Sequence, residues 1–388
     1  MTMVTTEAVV ALQAPKDVSL SEIESELRQI WLGVGGDEEA GPRAVRAATF
    51  TLVVYESADL AAQIAPSVEG LAVQNPCRVI HLRPQQGLTE MPLAARVAAY
   101  CPMQKRGQSN LICCEYITLT GSRAALERSL GLINALLIGD LPTYLWWQAH
   151  PDPEDVLLQG LIHLRERGGM RLLVDSATFA RPEQGLLDLY RLMNMNVPLA
   201  DLNWSRLSTW QELTAAAFDP PDRRVDLPKI DQVVIDHEKG NPAQALLFFG
   251  WLASRLNWVP ESHTVVPGDY DLHQIICHSP EGQVIKTELA GLPLADIGTV
   301  VGDLIGLRLD SAQPDANCCT VLCAETTGCM RLEGGGKAQF CRVEQVSTLR
   351  DIPAETLLGQ QIQRWGQQQI LFQESLAVTA AILKAPSL

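Results

Sequence analysis

Between residues 48 and 193, short apolar runs alternate with amphipathic ones, and this alternation restricts the fold more than any other feature of the chain. Ala48–Tyr55, Cys77–Leu82, Thr143–Trp147 and Met170–Asp175 are short, rich in Val, Ile, Leu or aromatic residues, and read as strands. Arg96–Pro102 and Leu111–Thr120 read as two more, joined by a polar turn around Gly107. Leu60–Val73, Glu154–Leu164 and Leu186–Met193 read as helices. Ser122 is placed to cap another helix, whose apolar face is Leu126, Leu130, Ile133 and Leu137. Strands separated by helices predict an α/β layered domain with at least part of its sheet parallel. Ahead of it, Met1–Pro15 shows no pattern and is expected to be a tail. Ser19–Glu22 opens an amphipathic helix bearing Ile23, Leu27, Ile30 and Trp31.

The second half has a different texture. Asp219–Pro228 is proline-rich and charged, the best linker in the chain. A strand follows at Asp231–Ile235, and Asn241-Pro242 starts a helix, Ala243–Asn257, that is apolar nearly all round and so must be buried. Six strands separated by glycine turns come next: Leu272–His278, Gly282–Leu289, Asp303–Leu309, Cys318–Ala324, Cys329–Glu333 and Gln339–Val343. One or two helices close the chain over Ile352–Leu383. The expected fold class is thus α/β and α+β: a mixed layered sheet with helices over residues 17–224, then a strand-rich α+β domain with an antiparallel sheet over 225–388.

Ala200–Leu213 lies near the junction and holds Trp204, Arg206 and Trp210. Asp201 is a candidate cap for a short helical turn. Thr209 with Glu212 has capping-box spacing, which starts a second helix running to about Ala217. The pattern predicts that Trp204, Arg206 and Trp210 are not all buried. Large aromatics usually fill cores, which makes this stretch a junction clamped by Arg206. Tryptophan and arginine also dominate binding hot spots, which makes Trp204 and Arg206 candidates for a partner contact.

A net charge of −15 argues against nucleic acid and anionic membranes, which require a basic face. No secretory signal or membrane-spanning run is visible, and the chain is read as cytoplasmic. Its 10 cysteines are then expected to be mostly reduced. Cys318, Cys319, Cys323, Cys329 and Cys341 crowd one strand-rich segment, and Cys113-Cys114 is a vicinal pair near Cys77 and Cys101. Small apolar core filling accounts for most of them. Cys318, Cys319, Cys323 and Cys329 are the candidates for a reversible disulfide. Cys318 or Cys319 with Cys329 is the favoured pairing, across a turn near Thr326-Thr327-Gly328.

Catalytic motifs fail one by one. Gly336-Lys337 is followed by Ala338, so it is no P-loop. Gly33-Val34-Gly35 ends in Glu38 where a dinucleotide motif needs glycine, and it precedes the first strand. Gly-x-Ser-x-Gly, His-Glu-x-x-His and Cys-x-x-Cys are absent. His263, His273, Cys277 and His278 fit no zinc template. No catalytic residue, cofactor or metal is expected.

Several stretches together resemble the glucose-6-phosphate dehydrogenase assembly protein family, OpcA, of the cyanobacterial type. They are Asn75-Pro76-Cys77-Arg78-Val79-Ile80, Gly139-Asp140-Leu141-Pro142 with Leu145-Trp146-Trp147, Arg171–Ser176, Ala200–Leu207 and Gly250–Leu256, in the family's order. The resemblance implies a non-enzymatic partner and activator of glucose-6-phosphate dehydrogenase in the oxidative pentose phosphate pathway, which makes NADPH. It also implies thioredoxin-linked control through the cysteines. The rival reading is an α/β protein that acts on or senses a sugar phosphate, with Arg206 or Arg255 gripping the anion.

Overall fold

The computed structural model describes residues 9–33, 43–46, 48–56, 75–85, 91–102, 110–164, 170–293, 300–313, 316, 320–325, 329–334, 342–348, 352, 354–363 and 369–387. The expected helix Leu60–Val73, together with Cys318 and Cys319, lies outside them. The protein has the expected mixed α/β character. Two compact units share the chain by exchanging segments. The first takes Met1–Val174, Met195–Ala200 and Pro353–Gln367; the second takes Asp175–Asn194, Asp201–Ile352 and Gln368–Leu388. A single cut at 224/225 therefore falls inside the second unit.

The first unit is built on a nine-stranded sheet. Its strands are β1 (Val9–Val18), β2 (Arg43–Arg46), β3 (Thr51–Glu56), β4 (Arg78–Pro84), β5 (Ala94–Pro102), β6 (Asn110–Gly121), β7 (Thr143–Gln148), β8 (Met170–Val174) and β9 (Leu199–Asp201). They lie in the order β1-β5-β6-β4-β3-β7-β8-β9, with β2 also on β6. The stretch β6-β4-β3-β7-β8 is parallel throughout. Counted along the chain, these five strands run 3-2-1-4-5, the doubly wound order. Parallel strands are covered on both faces, and β3, β7 and β8 are accordingly buried at every position. Arg78 fastens the helix Ile23–Gly33 to this sheet. Its Nε donates to Glu115 at 2.7 Å and its Nη1 to Glu24 at 2.6 Å and to the Leu136 carbonyl at 2.9 Å, while Trp31 Nε1 donates to Glu115 at 2.9 Å. The expected tail contains a strand instead: β1 pairs antiparallel with β5. It forms an end of the sheet, where Pro15 breaks no central ladder.

The second unit holds an eight-stranded sheet. Its strands are β10 (Gln232–Glu238), β11 (Val259–Val266), β12 (Leu272–His278), β13 (Val284–Leu292), β14 (Leu304–Asp310), β15 (Thr320–Glu325), β16 (Cys329–Gly334) and β17 (Arg342–Thr348). Their order is β11-β12-β13-β10-β14-β15-β16-β17. The sheet is antiparallel except for the β10–β13 pair. β11 was not foreseen: an edge strand is half exposed, and its residues do not alternate cleanly.

The helix Ala243–Leu256 is the pillar of this unit, with every residue from Ala243 to Ala253 buried. It crosses the helix Ile370–Lys384 closely enough for two side-chain hydroxyls to reach its backbone. Ser375 Oγ donates to the Leu247 carbonyl at 2.6 Å, and Thr379 Oγ1 donates to the Leu246 carbonyl at 3.1 Å. Gly250 permits that approach, because a Cβ there would collide with Thr379 Oγ1 and stand 2.6 Å from the Ser375 carbonyl. Gly250→Ala is expected to lower unfolding stability by about 1–3 kcal/mol, the usual cost of overfilling a packed core. Urea denaturation measures it, and an unchanged midpoint would show that the two helices can separate freely.

Candidate functional site

The stretch that carries Trp204 and Arg206 folds as two short helices in tandem, Leu202–Arg206 and Ser208–Ala217. Asp201 caps the first by accepting the Asn203 N–H. The second starts at Ser208 without a side-chain cap, so Thr209 is already helical and the expected capping box does not form. Leu207 joins the helices in αR geometry, which keeps them nearly continuous. Trp204, Arg206 and Trp210 are all buried, at 8% and 2% exposure for the two tryptophans and 8% for the arginine side chain. The expectation that one of them faces outward is therefore corrected. Three separate partners make this possible: Phe372 for Trp204, Phe248 for Trp210, and Asp175 for Arg206.

Around Arg206 a buried polar cluster assembles from four distant parts of the chain. Arg206 Nη1 and Nη2 donate to the two carboxylate oxygens of Asp175 at 2.8 and 2.9 Å. Asp201 accepts from the Ser176 N–H at 2.9 Å and the Ser176 hydroxyl at 2.7 Å. Gln244 Nε2 donates to Asn203 Oδ1 at 2.9 Å and to Asp303 Oδ1 at 2.6 Å, and its Oε1 accepts the Leu304 N–H at 3.0 Å. Asn241 Nδ2 donates to the carbonyls of Ser176 and Ala177, both at 2.9 Å. Asn241 Oδ1 also accepts the Ala243 N–H, although the helix begins only after Pro242. Burial, reinforced by the charge of Asp175, pushes the Asp201 carboxyl up to about 6. Asp175 and Ser176 lie in the Arg171–Ser176 stretch and Asn241 in the Asn241-Pro242 helix start, but Gln244 and Asp303 carry no motif of their own, and only their convergence on the cluster reveals them.

In the first unit, the doubly wound order creates a switch point between β3 and β7, where such sheets open a crevice at their strand ends. Here two aromatic side chains stack at that point: the rings of Tyr55 and Trp147 lie 4.0 Å apart and within 13° of parallel. Arg123 lies over both, donates to the Tyr55 oxygen at 2.8 Å, and pairs with Asp155 and Glu127. No glycine follows β3 until Gly70, so the glycine pattern of a dinucleotide-binding loop does not occur there.

The remaining candidates are dispersed. Arg255 is on the surface, paired with Glu374. Cys323 faces Arg331 in the β15–β16 register, and Cys329 faces Glu325. Cys77 and Cys114 are buried thiols hydrogen-bonded to each other, and Cys113 is disulfide-bonded. His263 Nε2 lies 3.0 Å from His273 Nδ1, and His237 Nδ1 donates to the Glu238 carbonyl at 2.7 Å. Among the described residues no set of three His, Cys, Asp or Glu is placed to hold a metal ion, and no helix is long and apolar enough to cross a membrane.

Two family models match the chain, and both describe a "Glucose-6-phosphate dehydrogenase subunit". The model of its N-terminal domain matches residues 68–191, and the model of its C-terminal domain matches residues 197–376. Together they cover more than half of the chain. The chain belongs to the OpcA family. Its relatives include the "Putative OxPP cycle protein OpcA" of Nostoc punctiforme, 45% identical over 98% of this chain and 96% of that one. The protein of the same name from Synechocystis is 44% identical over 98% and 95%. Among solved structures, UDP-N-acetylglucosamine 3-dehydrogenase GnnA from Acidithiobacillus ferrooxidans matches with a TM-score of 0.44 and 10% identity, over 87% of this chain and 98% of that one. Likeness at that level says nothing about substrate or cofactor. For this OpcA family member, the Arg171–Ser176, Ala200–Leu207 and Gly250–Leu256 motifs fall on the polar cluster and the buried helix crossing.

Two measurements test the second unit. Arg206→Ala leaves Asp175 buried without its cation and is expected to cost about 3–5 kcal/mol; adding Asp175→Ala should recover part of that loss. Burial, then the charges of His263 and His237, lower His273 from 6.5 to about 4. The folded state thus resists protonation, so this stability is complete above pH 6.5 and is lost as pH falls from 6.5 toward 4. His273→Gln should flatten the fall in unfolding free energy across that window, by up to about 3 kcal/mol.

Proposed function

We propose that this chain is a non-catalytic partner of glucose-6-phosphate dehydrogenase that promotes the enzyme's active oligomer and raises its activity. Family membership and the names of the cyanobacterial relatives support the association. The observation that carries the non-catalytic part is the Tyr55–Trp147 stack beneath Arg123. It sets two stacked aromatic side chains and their cation near the ends of the two strands that flank the switch point, beside the place where a doubly wound sheet would seat a substrate or cofactor. The polar cluster around Arg206 is likewise committed to internal partners, so that cation is not offered to a sugar phosphate.

An activator must bind the active state more tightly than the inactive one, since equal affinity shifts nothing. In this reading Trp204 and Arg206 serve the partner contact indirectly, by holding the second unit in shape. A reversible disulfide among Cys318, Cys319, Cys323 and Cys329, reduced by thioredoxin, is the regulatory element that belongs with it. The resemblance to the cyanobacterial members motivates that element.

Purified protein incubated alone with glucose 6-phosphate and NADP is expected to turn over nothing. Added to the dehydrogenase of the same organism, it should copurify with the enzyme and raise kcat/KM. Turnover by the isolated chain would favour the sugar-phosphate enzyme. Differential alkylation before and after treatment with reduced thioredoxin tests the cysteines, and unchanged labelling of all four would remove the switch from this chain.

A further inference from the structure

Among the described residues, burial alternates along β10, β12 and β13, so one face of the second unit's sheet is enclosed and the other is partly open. The helices Ser208–Ala217, Ala243–Leu256 and Ile370–Lys384 contact its strands, and the inward residues Ile285, Thr287 and Leu289 of β13 are buried. The alternate residues of the same strand, Val284, Lys286 and Glu288, are exposed. In register beside them stand Gln274 and Ile276 on β12 and Val234 on β10. This face is a mixture of aliphatic and polar side chains. The five strands whose side chains are described, β11-β12-β13-β10-β14, spaced about 4.8 Å apart and about 20–25 Å long, give it an area of roughly 500–600 Å². That is the greater part of one partner's share, about 800 Å², of a standard protein–protein interface.

Near the middle of the face is an uncompensated charge. Asp236 on β10 is flanked in register by Ala290 on β13 and Gly306 on β14, so two small residues leave a depression around it. Asp236 is only half-exposed, and no hydrogen-bond or ion-pair partner serves its carboxylate among the described residues. Burial alone raises its pKa, with no neighbouring cation to oppose it. A half-buried carboxylate without a partner is costly, and a basic side chain entering the depression would supply the missing charge-assisted hydrogen bonds.

We propose that this partly open face is where the dehydrogenase docks, with an arginine or lysine of that partner seated on Asp236 between Ala290 and Gly306. The proposal rests on the reading that the chain binds the dehydrogenase, and names the surface that does so. Charge argues for a different protein over a second copy of this one: two chains of −15 each repel, and each would bring another unpaired Asp236.

The test measures binding of the full-length protein to the dehydrogenase of the same organism, with thermal unfolding as the control for fold. Asp236→Lys reverses the charge, and Ala290→Trp fills the depression from the solvent side. Glu212→Lys makes the same change in net charge at an exposed position of the helix Ser208–Ala217. Tenfold or greater weakening by Asp236→Lys and by Ala290→Trp, at unchanged melting temperature, with Glu212→Lys within twofold of wild type, supports the site. Binding by all three variants within twofold of wild type overturns the site and leaves the association intact. If the unaltered protein does not bind, site and association both fall. A wild-type dimer in light scattering that Asp236→Lys dissociates assigns the face to a second copy and overturns the proposed occupant.

Discussion

Burial of the helix Ala243–Leu256 is the interaction on which the second unit depends. Leu246, Leu247, Phe248 and Phe249 are wholly removed from water, and side chains of that kind each stabilise a fold by about 1.5–3 kcal/mol when buried. A helix apolar on every side must be covered on every side. The β10 strand, the helix Ile370–Lys384 and the helices that follow Asp201 supply that cover. Gly250 sets the distance of one crossing, and the hydroxyls of Ser375 and Thr379 satisfy themselves on the helix backbone there.

The polar cluster begins where this helix starts. Asn241, just ahead of the helix, and Gln244, in its first turn, each bind groups far away in the chain. Burying Asp175 with Arg206 is not in itself a source of stability, because desolvation offsets much of the attraction. Around the pair, Asp201 accepts from both Ser176 and Asn203, so the residues beside Asp175 and Arg206 are bonded to one another as well. The cost of breaking that arrangement exceeds the gain from making it, and this ties the residues after β8, those after β9 and the start of the long helix to one another.

The two sheets have diverged in use. The parallel strands β3 and β7 of the first are buried at every position, and Tyr55 and Trp147 stack beside the switch point of the doubly wound order. Among the described residues, strands β10, β12 and β13 of the second sheet bury one face and leave the other partly to solvent, as antiparallel sheets commonly do. The location of Asp236 on the open face and of Arg206 in the core divides the charged residues accordingly.

Hydrophobic patterning alone determined the parallel core strands, because a strand buried on both faces is an unbroken apolar run, as at Thr51–Tyr55 and Thr143–Trp147. It determined the buried helix Ala243–Leu256 for the same reason, and Asp201 was recognisable as a cap by its position ahead of a helical turn. The family was also legible, through motifs that the structure places at close contacts. The edge strands β1 and β11 were not legible, since an edge is half solvated and loses the alternation that marks a strand. Tertiary structure alone decided that Trp204, Arg206 and Trp210 are all buried: a helix of known periodicity still does not say how many neighbours will cover it. It alone brought Asp303 and Gln244 to Asn203, and left Asp236 between two small residues on strands that are remote in sequence. Strand order places such residues together, and strand order depends on long-range pairing that no local pattern records.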